Sequence, residues 1–290
     1  MNSFILQIVS VVVLVAIIGV CYWLWVRPHQ VSLESKGLLL LVVLTMAGGL
    51  LGSLGWWTDN PSAFSWDLPP LASRLLGAAG CAFAAACFMT LQHPDYQRLR
   101  LILIMLAIYL VPLAVAIVLF HLNRFDPAAP ITYAFFLIVI GMILPTLWYL
   151  YRHPIVLAQD SAIEPPNIAL RRWFQIIAVV AASWSVALFV TDNGFTSLIW
   201  AWTGDLLTSR LIAVMLLTIA VAALYSLRSD SAAQVTLVTM IVYGFGGALA
   251  GLLNSAAGKL IPLFYVLALG IMGIISTFFY LQHRRIHRPA

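Results

Sequence analysis

Apolar positions run almost without interruption through nine stretches of the chain, at residues 4–26, 37–57, 70–92, 99–121, 130–151, 173–191, 206–227, 232–254 and 260–282. A half-buried strand would alternate polar and apolar residues, and a helix of a soluble domain would show a polar face every three or four positions. Neither pattern occurs here. Each stretch is about 20 residues long, enough as a helix to cross a hydrocarbon layer of about 30 Å. The pattern predicts an all-α, polytopic transmembrane helix bundle of about nine helices. The longest break between stretches, at 152–172, contains the turn-forming run "EPPN" and leaves no room for a soluble domain.

Composition agrees. The chain is 63% hydrophobic and only 9% charged, with a mean hydropathy of +1.01, whereas soluble domains carry about 25% charge. The first stretch has the length of a spanning helix. It lacks a basic leader before it and a small-residue cleavage site after it, so it reads as a retained anchor rather than a signal peptide.

A net charge of +5 would suggest nucleic acid in a soluble protein, but its distribution points to topology instead. Arg27, Lys36, Arg98, Arg100, Arg152, Arg171, Arg172, Arg228, Arg284, Arg285 and Arg288 fall on one side of the nine segments. Arg124 and Lys259 fall on the other, with Arg74 and Arg210 one turn inside helices on that second side. Because cytoplasmic loops collect Lys and Arg, the expected orientation has the N-terminus outside and the C-terminus in the cytoplasm.

The sequence also repeats. "SWDLPPLASRLLGA" at 65–78 returns as "AWTGDLLTSRLIAV" at 201–214, an offset of 136 that matches Trp66 to Trp202, Ser73 to Ser209 and Arg74 to Arg210. Upstream, "TDN" at 58–60 recurs at 191–193, and downstream "YLYRHPI" at 149–155 parallels "YLQHRRI" at 280–286. Three landmarks in one order predict a 1+4+4 arrangement. It comprises an anchor helix and loop (1–36), a four-helix unit (37–155), a cytoplasmic linker (156–172) and a second unit with a basic tail (173–290). An even number of helices per unit makes the repeat parallel, with a pseudo-two-fold axis along the membrane normal. Pro69 and Pro70 suit a helix start, and Asp67 and Asp205 are placed to cap or complement the two positive helix ends.

Arg74 and Arg210 are the sharpest chemical feature. An arginine near a helix end can snorkel to the interface. One reading is a structural pair tied to Asp59, Asp67, Asp192 or Asp205. The other is an anion site in which guanidinium and helix-start amides take a lipid phosphate or a carboxylate. "LFHLNRFDP" at 119–127 adds His121 and Arg124 on the same side of the membrane, either as interfacial anchors or as part of that site.

Other chemistry finds little support. Cys21, Cys81 and Cys87 lie in apolar segments without a CxxC or Cys/His cluster, so no metal site or disulfide is expected. The histidines sit near segment ends, and His93 with His153, the pair nearest a bis-histidine haem arrangement, reads as interfacial. No Asp, Glu, Lys or His lies near the middle of a segment, which disfavours a proton-driven pump. HExxH, GxSxG and GxxxxGK(S/T) are absent. No cofactor is expected. Glycines cluster in "MAGGLLGSLG", "LGAAG" and "YGFGGALAG", the small-residue signature of close helix approach, and Trp56, Trp57, Trp66, Trp148, Trp200 and Trp202 mark segment ends as aromatic belts do.

"WDLPPLASRLLGA" followed by "LFHLNRFD" resembles a loose group of bacterial multi-pass membrane proteins that pair a W…PPLTA..LGA element with a later LH.DRF element. The likeness spans residues 66–126, with Ala72, Ser73 and Arg74 in place of the usual Thr-Ala and Asn123 in place of the acid. It implies the bacterial inner membrane as the location and implies no activity.

The sequence therefore favours an integral inner-membrane protein that binds or transports a lipid, small amphiphile or anion at its external face. Its candidate residues are Arg74, Arg210, Asp67, Asp205, Asp59, Asp192, His121 and Arg124. One alternative is a non-catalytic structural subunit of a larger membrane complex, favoured by the scarcity of intramembrane polar groups. Another is a membrane enzyme with an outer-interface site at His121, Arg124, Asp67 and Arg74. The expected partners are membrane lipids, with other membrane subunits under the first alternative, and no nucleic acid.

Overall fold

The computed structural model describes residues 12–13, 15–29, 31–60, 64, 66–152, 165–191, 205–256 and 263–286. Among these the protein is all-α. Its helices are α1 (Val15–Val26), α2 (Leu33–Trp57), α3 (Pro70–Gln92), α4 (Tyr96–Phe120), α5 (Pro130–Arg152), α6 (Ile168–Val190), α7 (Leu206–Ser226), α8 (Asp230–Ala256) and α9 (Leu263–Ile286). The eight from α2 to α9 are long and apolar enough to cross a membrane, the architecture of a multi-pass integral membrane protein. Part of the predicted first span, 4–26, falls outside the described residues, and the part seen as α1 ends in a π-helical turn at Tyr22–Val26 packed on α2.

Three helices, α2, α4 and α6, start where capping chemistry starts them, several residues before their apolar runs begin. Ser32 accepts the Ser35 amide ahead of α2, Asp95 accepts the Arg98 amide ahead of α4, and Asn167 accepts the Leu170 amide ahead of α6. Each satisfies one of the orphan amides of a first turn. Asp205 does the same for α7 through the Thr208 amide at 3.3 Å. Asp67 does not play this role for α3. Pro69 occupies the cap position, with no side-chain hydrogen bond there.

Packing is pairwise. α2 lies along α3, α6 along α7 and α8 along α9, while α3 also packs on α8 and α4 on both α5 and α7. The best-enclosed span is α7, 83% of whose apolar window is buried, while α5 shows only 17% buried and forms the outer wall. Small residues permit the closest approaches. A β-carbon on Gly49 would lie 2.6 Å from the Gly80 carbonyl oxygen across the α2/α3 contact, and one on Gly244 would lie 2.7 Å from backbone atoms of Leu269 and Gly273 across α8/α9. Serines link the same helix pairs. Ser53 donates to the Gly77 carbonyl at 3.0 Å and Ser185 to the Ala213 carbonyl at 2.7 Å.

Candidate anion site

Three helix ends meet around Arg210, one turn into α7. Its Nε donates to the Phe189 carbonyl at 3.1 Å, in the last turn of α6, where carbonyls have no intrahelical donor. Its Nη1 lies 2.7 Å from Nε2 of His121, which caps the end of α4. The guanidinium also stands over the rings of Phe120 and Phe189, 5.0 and 5.5 Å from their centroids, a cation–π arrangement.

A guanidinium has only donors, so His121 Nε2 must accept, and the ring is neutral with its proton on Nδ1. The surroundings favour that form. Burial lowers the His121 pKa below its ordinary 6.5, and the charges of Arg210 and Arg124 lower it further against the opposing pull of Asp205. Arg124 follows in the 3-10 turn Leu122–Arg124, and its Nη2 reaches Asp205 Oδ1 at 4.0 Å. With Arg124 42% exposed, that pair is a loose, solvent-screened one, and Asp205 is already engaged as the α7 cap.

Among the described residues the cluster thus brings together two guanidiniums and one carboxylate, beside exposed Leu119, Phe120 and Leu122. These form a cationic group set in an apolar rim. Next to it the chain builds an aromatic core from Trp66, Phe64, Phe125, Phe135 and Phe136. Trp66 and Phe125 touch edge to face at 5.3 Å. The elements "WDLPPLASRLLGA" and "LFHLNRFD" therefore meet in space, the first supplying Trp66 and the second Phe125.

The predicted residues divide. Arg210, His121, Arg124 and Asp205 come together. Arg74 does not join them: its Nη1 is buried, and among the described residues no hydrogen bond or ion pair ties it to Asp59 or Asp67. Asp67 is exposed. Asp59 sits in the left-handed region at φ 54° and ends α2, with the following Asn60 amide donating to the Gly55 carbonyl at 3.1 Å, a Schellman closure. Asp192 and His153 lie outside the described residues. Among the described residues no group of His, Cys, Asp and Glu is arranged to hold a metal ion.

A second polar cluster, at the opposite end of the bundle, was not singled out by the sequence. Arg98 is 7% exposed. It pairs with Asp95 at 3.2 Å and donates to Gln234 Oε1 at 3.0 Å, and Ser231 donates to Asp95 at 3.1 Å. Residues 95 and 231, like 98 and 234, are separated by 136 positions, the spacing of the repeated arginine motif. That spacing is the one signal in the sequence that would have paired them.

No family model, curated protein or solved structure matches this chain.

Proposed function

We propose that this integral membrane protein binds the anionic headgroup of a lipid or small amphiphile at the Arg210 end of its bundle, as a carrier or binding protein of the bacterial inner membrane. The observation that carries the reading is that Arg210 bonds a neutral His121 while Arg124, in the turn that follows, reaches the α7 cap Asp205, so that two guanidiniums gather at one helix junction. The rim offers exposed apolar side chains where an acyl chain would lie. Guanidiniums bind phosphate and carboxylate through paired donors, and among the described residues the Arg124 guanidinium has only the loose Asp205 contact at 4.0 Å.

Two four-helix halves, α2–α5 and α6–α9, form the frame of this reading. In its favour, helices of the two halves start at matching places: Leu33 and Ile168, Pro70 and Leu206, Tyr96 and Asp230, Pro130 and Leu263. The α3–α8 contact has its counterpart in α4–α7, as a two-fold relation requires. Around Arg210 the relation is broken, since the second half carries "LLNSAAGK" where the first carries "LFHLNRFD". The binding residues are therefore one-sided.

Native mass spectrometry of protein released gently from its own membranes tests the proposal. A small-molecule adduct is expected on the wild type, lost in Arg210→Gln/Arg124→Gln and kept in Arg74→Gln. An adduct unaffected by the double substitution, or protein partners in fixed ratio with no adduct, would replace this reading with that of a complex subunit.

Protonation of His121 gives a second check. Its lowered pKa means that the folded state resists the proton, so its stabilising contribution is complete above pH 6.5 and is lost as pH falls through the lowered value. A bound anion would relieve the resulting cluster of cations. In detergent without added lipid, Tm should fall more steeply between neutral and mildly acidic pH in the wild type than in His121→Gln, and an anionic lipid should reduce that difference.

A further inference from the structure

We propose that His283, at the end of α9, is a proton-binding switch that joins the Arg98–Gln234 chain when neutral and leaves it for Asp230 when charged. The argument starts from Arg98, which can only donate. Its bond to Gln234 fixes the amide with Oε1 toward α4 and Nε2 toward α9. There the amide nitrogen lies 2.7 Å from His283 Nε2. Since an amide NH2 is a donor, His283 Nε2 has to accept, and the ring is neutral with its proton on Nδ1.

The same Nε2 lies 3.2 Å from Asp230 Oδ2. A lone pair cannot bond a carboxylate, so in the neutral state this contact contributes nothing favourable, whereas an Nε2–H would donate straight to it. One ring nitrogen therefore has two exclusive partners. Without the proton it accepts from Gln234, and a continuous chain runs Asp95, Arg98, Gln234, His283 from α4 through α8 to α9. Taking a proton from solvent, Nε2 turns from acceptor to donor, pairs with Asp230, and loses Gln234, which keeps only Arg98. His283 thus drops out of the Arg98 chain, while its new ion pair with Asp230 keeps α9 joined to α8.

Among the described residues, the charged groups connected to the site are Asp230 from α8 and, by way of Gln234, Arg98 and Asp95 from α4; Arg284 and Arg285 follow His283 in sequence. Side-chain exposures of 11% for His283 and 26% for Asp230 leave both groups in reach of water. The site is independent of the anion site, which lies at the other end of α4.

The test uses ring 15N NMR of histidine-labelled full-length protein in nanodiscs, with His283→Gln to assign the signal. Should that variant fail to fold, a chain keeping His283 alone of its six histidines serves instead. At mildly alkaline pH, Nε2 is expected at the position of an unprotonated ring nitrogen and Nδ1 at that of a protonated one. Acidification should protonate Nε2, at lower pH in Asp230→Asn, and in protein also labelled at glutamine the Gln234 side-chain amide signals should shift with the same midpoint. A ring already charged at alkaline pH, a proton on Nε2 in the neutral form, or Gln234 signals indifferent to the titration would each overturn the switch.

Discussion

Gly244→Leu is expected to drive α9 away from α8 and cost about 3 kcal/mol of unfolding free energy in mild detergent, the upper part of the range for overpacking a close contact. The cause is backbone, not side chain. The first atom added would stand 2.7 Å from the Gly273 nitrogen and from the Leu269 carbonyl oxygen, and neither can rotate aside. Even Gly244→Ala should be measurably destabilising, although alanine is the better helix former by about 1 kcal/mol. Gly48 and Gly141 provide the comparison, because nothing stands within 4 Å of a β-carbon at either. Gly48→Ala and Gly141→Ala should be neutral or stabilising. Equal losses at all three positions would show that glycine matters here for backbone conformation and not for helix approach.

That contrast shows where the sequence stops being legible. The hydropathy pattern predicts α3 at 70–92 and α7 at 206–227, and the helices run Pro70–Gln92 and Leu206–Ser226, because at these starts the apolar run and the first helical residue coincide. It begins α2 at 37 and α6 at 173, whereas the helices begin at Leu33 and Ile168. The difference is the opening turn, which carries charge (Glu34 and Lys36 in α2, Arg171 and Arg172 in α6) and is held by Ser32 and Asn167 caps. "YGFGGALAG" announces a close contact, but not that Gly244 faces α9 backbone while Gly246 faces Ala78 of α3. That depends on how each helix is rotated about its axis.

The candidate site was legible in the same partial way. His121 and Arg124 are neighbours in sequence and Asp205 precedes Arg210, so each pair could be named. Their meeting requires α4 to pack on α7, which no local pattern encodes. Arg74 and Arg210 occupy matching positions of two similar motifs, yet the groups around Arg210 come from "LFHLNRFD" and from Phe189, and neither has an equivalent sequence near Arg74. Similar motifs thus acquire different surroundings from the helices packed against them.

Arg98→Ala is expected to be the most damaging single polar substitution, lowering unfolding free energy by about 3–5 kcal/mol, because removing one partner of a buried ion pair leaves the other charge uncompensated. Side-chain exposures of 8% for Arg98 and 16% for Asp95 place this pair in that regime. The loss extends beyond the pair. Arg98 also reaches the Met89 and His93 carbonyls at the end of α3, at 3.5 and 3.4 Å, and it orients Gln234 on α8. Asp95→Asn separates charge from geometry. An asparagine oxygen still accepts the Arg98 amide at the start of α4 and the Ser231 hydroxyl, bonds now made by Asp95 at 2.9 and 3.1 Å, and it remains a good cap. The double substitution Asp95→Asn/Arg98→Ala should therefore recover at least 1 kcal/mol relative to Arg98→Ala alone, on the order of the coupling found for residues in contact. Denaturant unfolding of the four proteins of this cycle in one detergent measures it. Strict additivity would mean that the carboxylate is solvated well enough to stand alone, and Arg98 would then act through the α3 carbonyls and Gln234 rather than through its ion pair.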